Sequence, residues 1–209
     1  MWIPTSRRIL DTSSVYYGLD DFISDMNNLL ALGLTQQSLF DRGSRYLKQL
    51  ILNPNSIEET FRLPYGKGPH PSQGCYLLHR GTNGLSIVSM VWGPGDHIDP
   101  HDHLTWGMIG VMESCLTETR FKRIDDQKRN GFAILEKTRV DKTSPGEISL
   151  LVPLSDEIHQ IDNETDRPTV EIHVYGEDLS KLNRHKFDLK TNVVTDFRSG
   201  KYDNELRDR

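Results

Sequence analysis

Apolar residues in the first third of the chain recur every three to four positions, which is the spacing of an amphipathic helix. An acidic pair at positions 20–21 is expected to start a first helix, and Gly33 is expected to end it. Thr35 is expected to cap a second helix. Ser56 followed by Glu59 has the spacing of a capping box and predicts a short third helix.

From about Tyr76 the pattern changes to alternating apolar and polar residues, which is typical of β-strands with one buried face. Turn sequences such as Ser144-Pro145-Gly146 separate the alternating segments. Many short strands at regular spacing indicate a sandwich or a barrel. The predicted strands lie near residues 76–79, 85–92, 98–112, 115–124, 132–140, 147–152, 157–162 and 169–175.

The length of the chain suggests a simple domain organisation. With 209 residues, the chain 1–209 fits a single domain. We expect a helical segment over residues 1–64, a β-barrel core over residues 75–176 and a C-terminal extension over residues 177–209. The extension is polar with scattered apolar residues, and its end is expected to be frayed.

Composition disfavours several classes of function and partner. The net charge is −5 and no basic stripe is visible, so nucleic acid is not an expected partner. No stretch approaches the roughly 20 apolar residues that a membrane span needs. No apolar run follows the basic residues among the first eight positions, so no secretory signal is expected. Cys75 and Cys115 are too few for a disulfide framework, which favours the cytoplasm. Monomer and homo-oligomer both remain open.

The candidate chemistry is concentrated in histidines on the predicted strands. His101 and His103 are two positions apart, so on a strand both imidazoles point to the same face. His159, on a distant strand, can supply a third imidazole, which leaves the opposite face of a bound metal open for substrate. His173 and Tyr175 obey the same two-residue rule and can face the same cavity.

A wider pattern around these histidines resembles the two sequence motifs of the cupins. The first motif is a close match and the second is looser. The acidic fourth ligand that is usual in the first motif is missing, because Gly107 or Met108 stands in its place. The matching residues are Gly95, His101, His103, Gly146, Pro153, His159 and Asn163.

Three histidines without that carboxylate form a narrower pattern. It resembles the thiol dioxygenases of the cysteine dioxygenase family, and among these the bacterial mercaptopropionate dioxygenase-like members most. The resemblance runs from about Cys75 to Gly176. It is carried by the segments 91–95, 100–103, 106–110 and 171–176.

This resemblance implies a cupin double-stranded β-helix, a jelly-roll-like barrel, behind the N-terminal helical segment. It implies that His101, His103 and His159 bind Fe(II). It also implies that His173 and Tyr175 form a pair outside the ligand sphere, with the phenol hydroxyl able to donate to oxygen or substrate. The implied reaction adds both atoms of O2 to the sulfur of a small thiol, such as 3-mercaptopropionate or cysteine, to give a sulfinate. Three neutral imidazoles would keep the charge of the metal high, so that a thiol binds and releases its proton readily.

Two positions depart from the family pattern. Glu171 stands where a serine usually precedes the His-x-Tyr pair, and its carboxylate is expected to bind His173 more strongly than a serine would. The catalytic candidates are therefore Tyr175, His173 and Glu171, although an exposed strand position for Glu171 is equally open. Gly107 stands where animal cysteine dioxygenases have a cysteine that is cross-linked to the tyrosine, so no cross-link is expected.

The candidate substrate contacts are Cys75, Gln73, Arg184 and Trp106. Cys75, or Gln73 after a two-residue shift, stands where cysteine dioxygenase has an arginine, so L-cysteine is not the favoured substrate. Arg184, nine residues after Tyr175, is a candidate clamp for a substrate carboxylate. An ordinary buried role for Cys75 and a solvated role for Arg184 remain open.

Two other classes of function fit the same histidines. One is another metal-dependent cupin, either a carbon-attacking dioxygenase or an isomerase. The other is a non-catalytic binder of a small ligand. The pair of His173 and Tyr175 favours the thiol dioxygenase, because a binder has no need of a proton-handling phenol beside a metal. Iron with thiol-dependent oxygen uptake would separate the first class from the others.

Overall fold

A computed structural model describes residues 16–206 of this chain. The first eight residues, where no secretory signal is expected, lie outside the described residues. Two helices open the described part, α1 (Leu19–Ala31) and α2 (Gln36–Ile51). None of the described helices is long and apolar enough to cross a membrane.

The ends of both helices follow from local hydrogen bonds. Gly18 caps α1, and its backbone N–H donates to the carboxylate of Asp21 at 3.0 Å, so the acidic pair lies inside the first turn rather than before it. Gly33, just after α1, has φ +59°, a conformation that glycine adopts without strain. Thr35 accepts a hydrogen bond from the backbone N–H of Ser38 at 3.3 Å, which confirms the predicted cap of α2.

The predicted third helix is wrong in type and in its cap. The chain forms only a single 3-10 turn, Glu59–Phe61. The Ser56 hydroxyl donates to the carbonyl oxygen of Leu50 at 2.7 Å, so Ser56 closes the end of α2 instead of starting a new helix. A serine hydroxyl can form a hydrogen bond with any backbone group that lies near it. Here that group is a carbonyl in the last turn of α2, which has no partner within the helix.

Within the described residues the strands form two antiparallel sheets that face each other, one of five strands and one of six. This architecture confirms the predicted mainly β, jelly-roll-like fold behind a helical segment. The strands are β1 (Gly74–Arg80), β2 (Ser86–Trp92), β3 (His97–His101), β4 (Gly107–Glu113), β5 (Leu116–Arg123), β6 (Leu135–Thr143), β7 (Ile148–Leu151), β8 (His159–Asp162), β9 (Thr169–Tyr175), β10 (Arg184–Phe187) and β11 (Val194–Phe197). The sheet orders are β1-β2-β9-β4-β7 and β11-β10-β3-β8-β5-β6.

The long strand predicted over residues 98–112 is two strands that belong to different sheets. β3 lies in the six-stranded sheet and β4 lies in the five-stranded sheet. Between them the chain crosses over, and Leu104 takes φ +57°, a conformation that strands do not contain. The hydrophobic pattern continues through the crossover because both β3 and β4 contain buried residues. The sequence pattern therefore does not show where β3 ends and β4 begins.

The two helices cover the face of the five-stranded sheet that points away from the other sheet. Gly110 allows this close approach, because a Cβ added there would lie 2.8 Å from the Cδ1 atom of Ile51 in α2. Along β9, the residues Val170, Ile172 and Val174 pack into this helix-side core. The alternate residues of β9 therefore point between the sheets, where the functional groups lie.

The C-terminal extension adds β10 and β11 to the six-stranded sheet and is described through residue 206, while residues 207–209 of its predicted frayed end lie outside the described residues. β10 pairs with both β3 and β11. Beyond β11, the side-chain amide of Asn204 pairs with the backbone N–H and carbonyl of Leu77 at 3.0 and 2.8 Å, and Asp203 accepts from the N–H of Cys75 at 2.7 Å. We call residues 194–206 the C-terminal strap. Its side chains form hydrogen bonds with the backbone of β1 in place of a neighbouring strand. The spacing of apolar residues in the sequence does not indicate this attachment.

Candidate active site

The structure brings the three predicted histidines together. The potential ligand atoms of His101, His103 and His159 all lie within 4.8 Å of one another. Their ring centroids are 4.7 to 4.9 Å apart, and the residues are 5%, 2% and 1% exposed. The cluster is suited to hold one metal ion, and binding by these residues remains a prediction.

Different elements position the three rings. His101 is the last residue of β3 and lies directly across the sheet from His159 in β8. His103 lies beyond β3 in the crossover rather than on a strand. The carboxylate of Glu157 holds that crossover, because it accepts hydrogen bonds from the backbone N–H groups of His103 and Leu104 at 2.9 and 2.7 Å.

The ring nitrogens have the arrangement that metal ligands require. The Nδ1 atom of His101 contacts the carbonyl oxygen of Asp99 at 2.9 Å, and Nδ1 of His159 contacts Glu118 at 2.6 Å, which leaves both Nε2 atoms free. Among the described residues, the buried Nδ1 atom of His103 has no hydrogen-bond partner. Burial lowers the pKa of all three imidazoles, so their lone pairs are available at neutral pH. Such a nitrogen set fits a divalent iron, copper, nickel or zinc ion.

Within residues 16–206, this cluster contains three histidines and no carboxylate. Asp102, which separates two of the histidines, points away and binds the backbone and the ring of His185 at 2.8 and 2.7 Å. Glu113 forms an ion pair with Arg62. The acidic side chains nearest in sequence to the ligand motif are therefore engaged elsewhere.

Glu171, His173 and Tyr175 form a continuous hydrogen-bonded chain on the inner face of β9. Glu171 accepts a hydrogen bond from the indole N–H of Trp92 at 2.8 Å and lies 3.1 Å from Nε2 of His173. Nδ1 of His173 lies 2.6 Å from the hydroxyl oxygen of Tyr175. Glu171 is only 3% exposed, so its interpretation as an exposed strand residue is wrong.

The carboxylate determines where the protons of this chain lie. When Glu171 is ionised it can only accept hydrogen bonds, and Nε2 of His173 then carries the proton that faces it. In a neutral imidazole Nδ1 is then the acceptor, and the Tyr175 hydroxyl donates to it. Burial raises the pKa of Tyr175, which keeps the phenol protonated. The hydroxyl lone pairs are then left for the cavity, and donation from Tyr175 to oxygen or substrate stays a prediction for other protonation states of this chain.

Gly107 explains how the ring of Tyr175 fits. Gly107 lies across from Tyr175 in the sheet, and a Cβ added there would lie 3.0 Å from the Cδ1 and Cε1 atoms of that ring. Any side chain at this position would contact the phenol. Glycine supplies no sulfur for a cross-link, and both Cys75 and Cys115 are free cysteines.

A cavity of about 110 Å³ lies between the sheets and reaches all three histidines and Tyr175. Arg184 lines it at 3% exposure, so the interpretation of a solvated tail residue is wrong. Its guanidinium donates to the carbonyl oxygen of Asp102 at 3.2 Å and to the Ser199 hydroxyl at 2.6 Å, and it lies 4.5 Å from the ring centre of Phe197. These two contacts use two of the five N–H donors of the guanidinium, so donors remain for a ligand in the cavity that Arg184 lines.

The other candidate substrate contacts divide into two groups. Cys75 lines the cavity, and burial raises the pKa of its thiol to about 12. Gln73 and Trp106 do not line it. Gln73 precedes β1 and pairs through its backbone with Tyr65, while Trp106 packs over Gly176 on the helix-side core. Substrate contact by these two residues is therefore not supported.

Sequence patterns missed a buried ion pair beneath the histidines. Glu118 and Arg120 on β5 are 3% and 0% exposed, and Glu118 contacts His159. A signal was present, because Leu116, Glu118 and Arg120 share one face of a predicted strand. Two charged residues in line with a core leucine indicate a buried pair.

The C-terminal strap forms one wall of the cavity, through Phe197, Ser199 and Tyr202. We expect the Asn204→Ala variant to open this wall and to raise the rate at which a thiol-specific reagent modifies Cys75 by roughly tenfold. The reason is that two lost backbone-pairing hydrogen bonds lower the free energy of local opening by about 1–3 kcal/mol. Reagent kinetics in a Cys115→Ser background measure the effect.

The matched control for that experiment is Asn28→Ala, which removes an exposed amide from α1. It should leave the Cys75 rate unchanged. Equal rates in the Asn204 variant and in the parent would show that the strap does not limit access to the cavity.

Comparison with known proteins finds cupin structures but no matching family model. The chain is similar to a cupin-superfamily sugar phosphate isomerase from Silicibacter pomeroyi, with 17% identity, a TM-score of 0.41 and coverage of 61% of this chain and 77% of that chain. It is similar to a DMSP lyase from Ruegeria pomeroyi, with 16% identity, a TM-score of 0.38 and coverage of 58% and 57%. It is also similar to the cupin domain of an XRE family transcriptional regulator from Enterobacter cloacae, with 16% identity, a TM-score of 0.35 and coverage of 50% and 95%. No function is carried over from these proteins.

Proposed function

We propose that this chain is an Fe(II)-dependent thiol dioxygenase that converts a small mercapto-acid to its sulfinate. One observation carries the proposal: a single cavity between the sheets is lined by the three-histidine cluster, by Tyr175 and by Arg184. The reaction RSH + O2 → RSO2⁻ + H⁺ needs no further reductant, because sulfur supplies the electrons that dioxygen takes up. Held by His101, His103 and His159, Fe(II) would supply a Lewis-acidic, redox-active centre.

The protein's own role begins with the proton of the substrate thiol. Tyr175 Oη presents a lone pair to the cavity and can accept that proton while it passes its own proton to Nδ1 of His173, 2.6 Å away. The imidazolium formed in this way would donate from Nε2 to Glu171 at 3.1 Å. Trp92 keeps the carboxylate of Glu171 oriented toward His173. A glutamate stabilises this imidazolium more than a serine would, because its charge is opposite.

The cavity favours a mercapto-acid over an amino acid. Arg184 lines the cavity, and its guanidinium keeps N–H donors beyond those bound to Asp102 and Ser199 for a substrate carboxylate. Among the described residues, no aspartate or glutamate lines the cavity, so the ammonium group of L-cysteine has no opposite charge there. At about 110 Å³ the cavity is also well below the roughly 300–1,000 Å³ that drug-sized ligands occupy, which fits a substrate of few atoms.

An oxygen-electrode screen of the iron-loaded protein tests this function. The thiols are 3-mercaptopropionate, mercaptosuccinate, L-cysteine and cysteamine. We expect one O2 to be consumed for each sulfinate formed, with the highest kcat/KM for a mercapto-acid. Absence of thiol-dependent uptake in protein that retains iron would contradict the proposed reaction. A clear preference for L-cysteine would contradict the proposed substrate class.

The Tyr175→Phe variant is expected to keep its metal and to form sulfinate roughly 10–100-fold more slowly, because the proton path to His173 is lost. Product formation under single-turnover conditions, with iron content measured in parallel, provides the test. Tyr202→Phe is the matched control, since its hydroxyl also lies at the cavity wall but binds Asp178 instead, at 2.9 Å. Equal turnover in Tyr175→Phe and wild type would show that Tyr175 only packs.

A further inference from the structure

The outer nitrogens of the three histidines have unequal partners. Nδ1 of His101 contacts a neutral carbonyl oxygen, and Nδ1 of His103 has no partner among the described residues. Nδ1 of His159 contacts a carboxylate oxygen of Glu118 at 2.6 Å. One of three otherwise similar imidazoles is therefore coupled to a buried negative charge.

Glu118 is held so that it cannot turn away from the imidazole. One of its oxygens faces His159, and the other accepts a hydrogen bond from the Ser149 hydroxyl at 2.7 Å. Arg120 is fixed beside it by the carbonyl oxygens of Leu150 and Asp156 at 2.9 and 2.8 Å. All of these contacts lie behind the ring of His159, on the side away from the cavity.

The carboxylate of Glu118 is better aligned for a hydrogen bond with His159 than for one with Arg120. The Nε atom of Arg120 lies 3.0 Å from the same carboxylate oxygen, yet it is a buried donor without an aligned acceptor. An ion pair that only neutralised Arg120 would align that donor with the carboxylate, because a buried unsatisfied N–H destabilises the fold. The aligned hydrogen bond goes to the imidazole instead.

We infer that Glu118 is a positioning residue that holds the His159 proton at Nδ1, turns Nε2 toward the cavity and makes His159 the strongest of the three metal donors. A ring that donates from Nδ1 to a carboxylate has a more basic second nitrogen, and removal of such carboxylates typically weakens metal binding 10–100-fold. The inference rests on the proposed function only in requiring that the triad binds a divalent metal.

The test compares the Glu118→Gln variant with wild type by Co²⁺ affinity, measured against a competing chelator, and by the visible absorption of the bound Co²⁺. Glutamine keeps the shape and can still accept from Nδ1, but it removes the charge. We expect the Co²⁺ affinity to fall roughly 10–100-fold and the absorption band to shift. Glu136→Gln is the matched control, because it makes the same substitution at an exposed carboxylate of β6. It should leave the affinity unchanged.

An affinity for Glu118→Gln within threefold of wild type would overturn the inference, and so would an equal loss in Glu136→Gln. Failure of wild type itself to bind Co²⁺ would overturn the metal site as well. Should the variant not fold, nitrogen-resolved NMR of Zn²⁺-loaded wild type decides. A strongly downfield Nδ1 proton on His159, and not on His103, supports the inference, and its absence overturns it.

Discussion

The His103→Ala variant is expected to lose metal binding by far more than the roughly 100-fold that changes outside the ligand sphere produce, and to lose oxygen uptake with it. Two imidazoles remain, and no carboxylate belongs to the described cluster to replace the third. His103 is the best position for this test because its Nδ1 atom has no partner in the described structure, so removing the ring leaves no carboxylate or carbonyl unpaired. Metal content after gel filtration and Co²⁺ titration give the result.

Thermal unfolding separates this loss from damage to the fold. A metal that binds only the native state raises Tm in proportion to its occupancy, so wild type should show a Co²⁺-dependent rise and His103→Ala should show none. His70→Ala is the control, because it removes an exposed histidine. Retained Co²⁺ stabilisation in His103→Ala would contradict the assignment of this ring as a ligand.

The site residues on β9 were predictable because two regular patterns coincide there. Alternate residues face the helix-side core, and the intervening Glu171, His173 and Tyr175 face the space between the sheets. The strand is buried along its whole length, so its boundaries agree with the prediction. Three polar side chains inside a buried strand need hydrogen-bond partners. Hydrogen bonds among these three side chains meet that need.

The crossover after His101 and the contact between Glu118 and His159 could not be predicted from these patterns. The break after His101 depends on which sheet each strand joins, and alternating hydrophobicity does not encode that choice. The contact between Glu118 and His159 depends on strand register, which places Arg120 opposite His159. Register between strands some forty residues apart is set by the whole fold.

The strap shows a different limit of the sequence pattern. The strap is attached to β1 through the side chains of Asp203 and Asn204. In the sequence, the pattern of apolar and polar residues indicates only that these two side chains are polar and solvated. Trp106 shows the reverse error, since an aromatic residue beside the ligand motif packs on the opposite face of the sheet. In both cases the deciding fact is the direction of a side chain.

The Arg184→Ala variant is expected to lower kcat/KM for 3-mercaptopropionate by roughly 100-fold or more, mainly through KM. A carboxylate left without its buried cation loses on the order of 2–5 kcal/mol of binding. Arg184→Lys should recover only part of this loss, because an ammonium keeps the charge but not the planar, two-point hydrogen bonding of a guanidinium. Steady-state oxygen uptake and sulfinate yield measure both variants.

A structural role for Arg184 must be separated from this binding role, because its guanidinium also contacts the carbonyl oxygen of Asp102 and the hydroxyl of Ser199 in the strap. Two comparisons do so. Ser199→Ala removes the strap contact and leaves the guanidinium in place, so its KM for 3-mercaptopropionate should stay near wild type. Cysteamine has no carboxylate, so Arg184→Ala should not slow its oxidation. If Arg184→Ala slowed both thiols equally, Arg184 would be a support for the cavity wall rather than the partner of a substrate carboxylate.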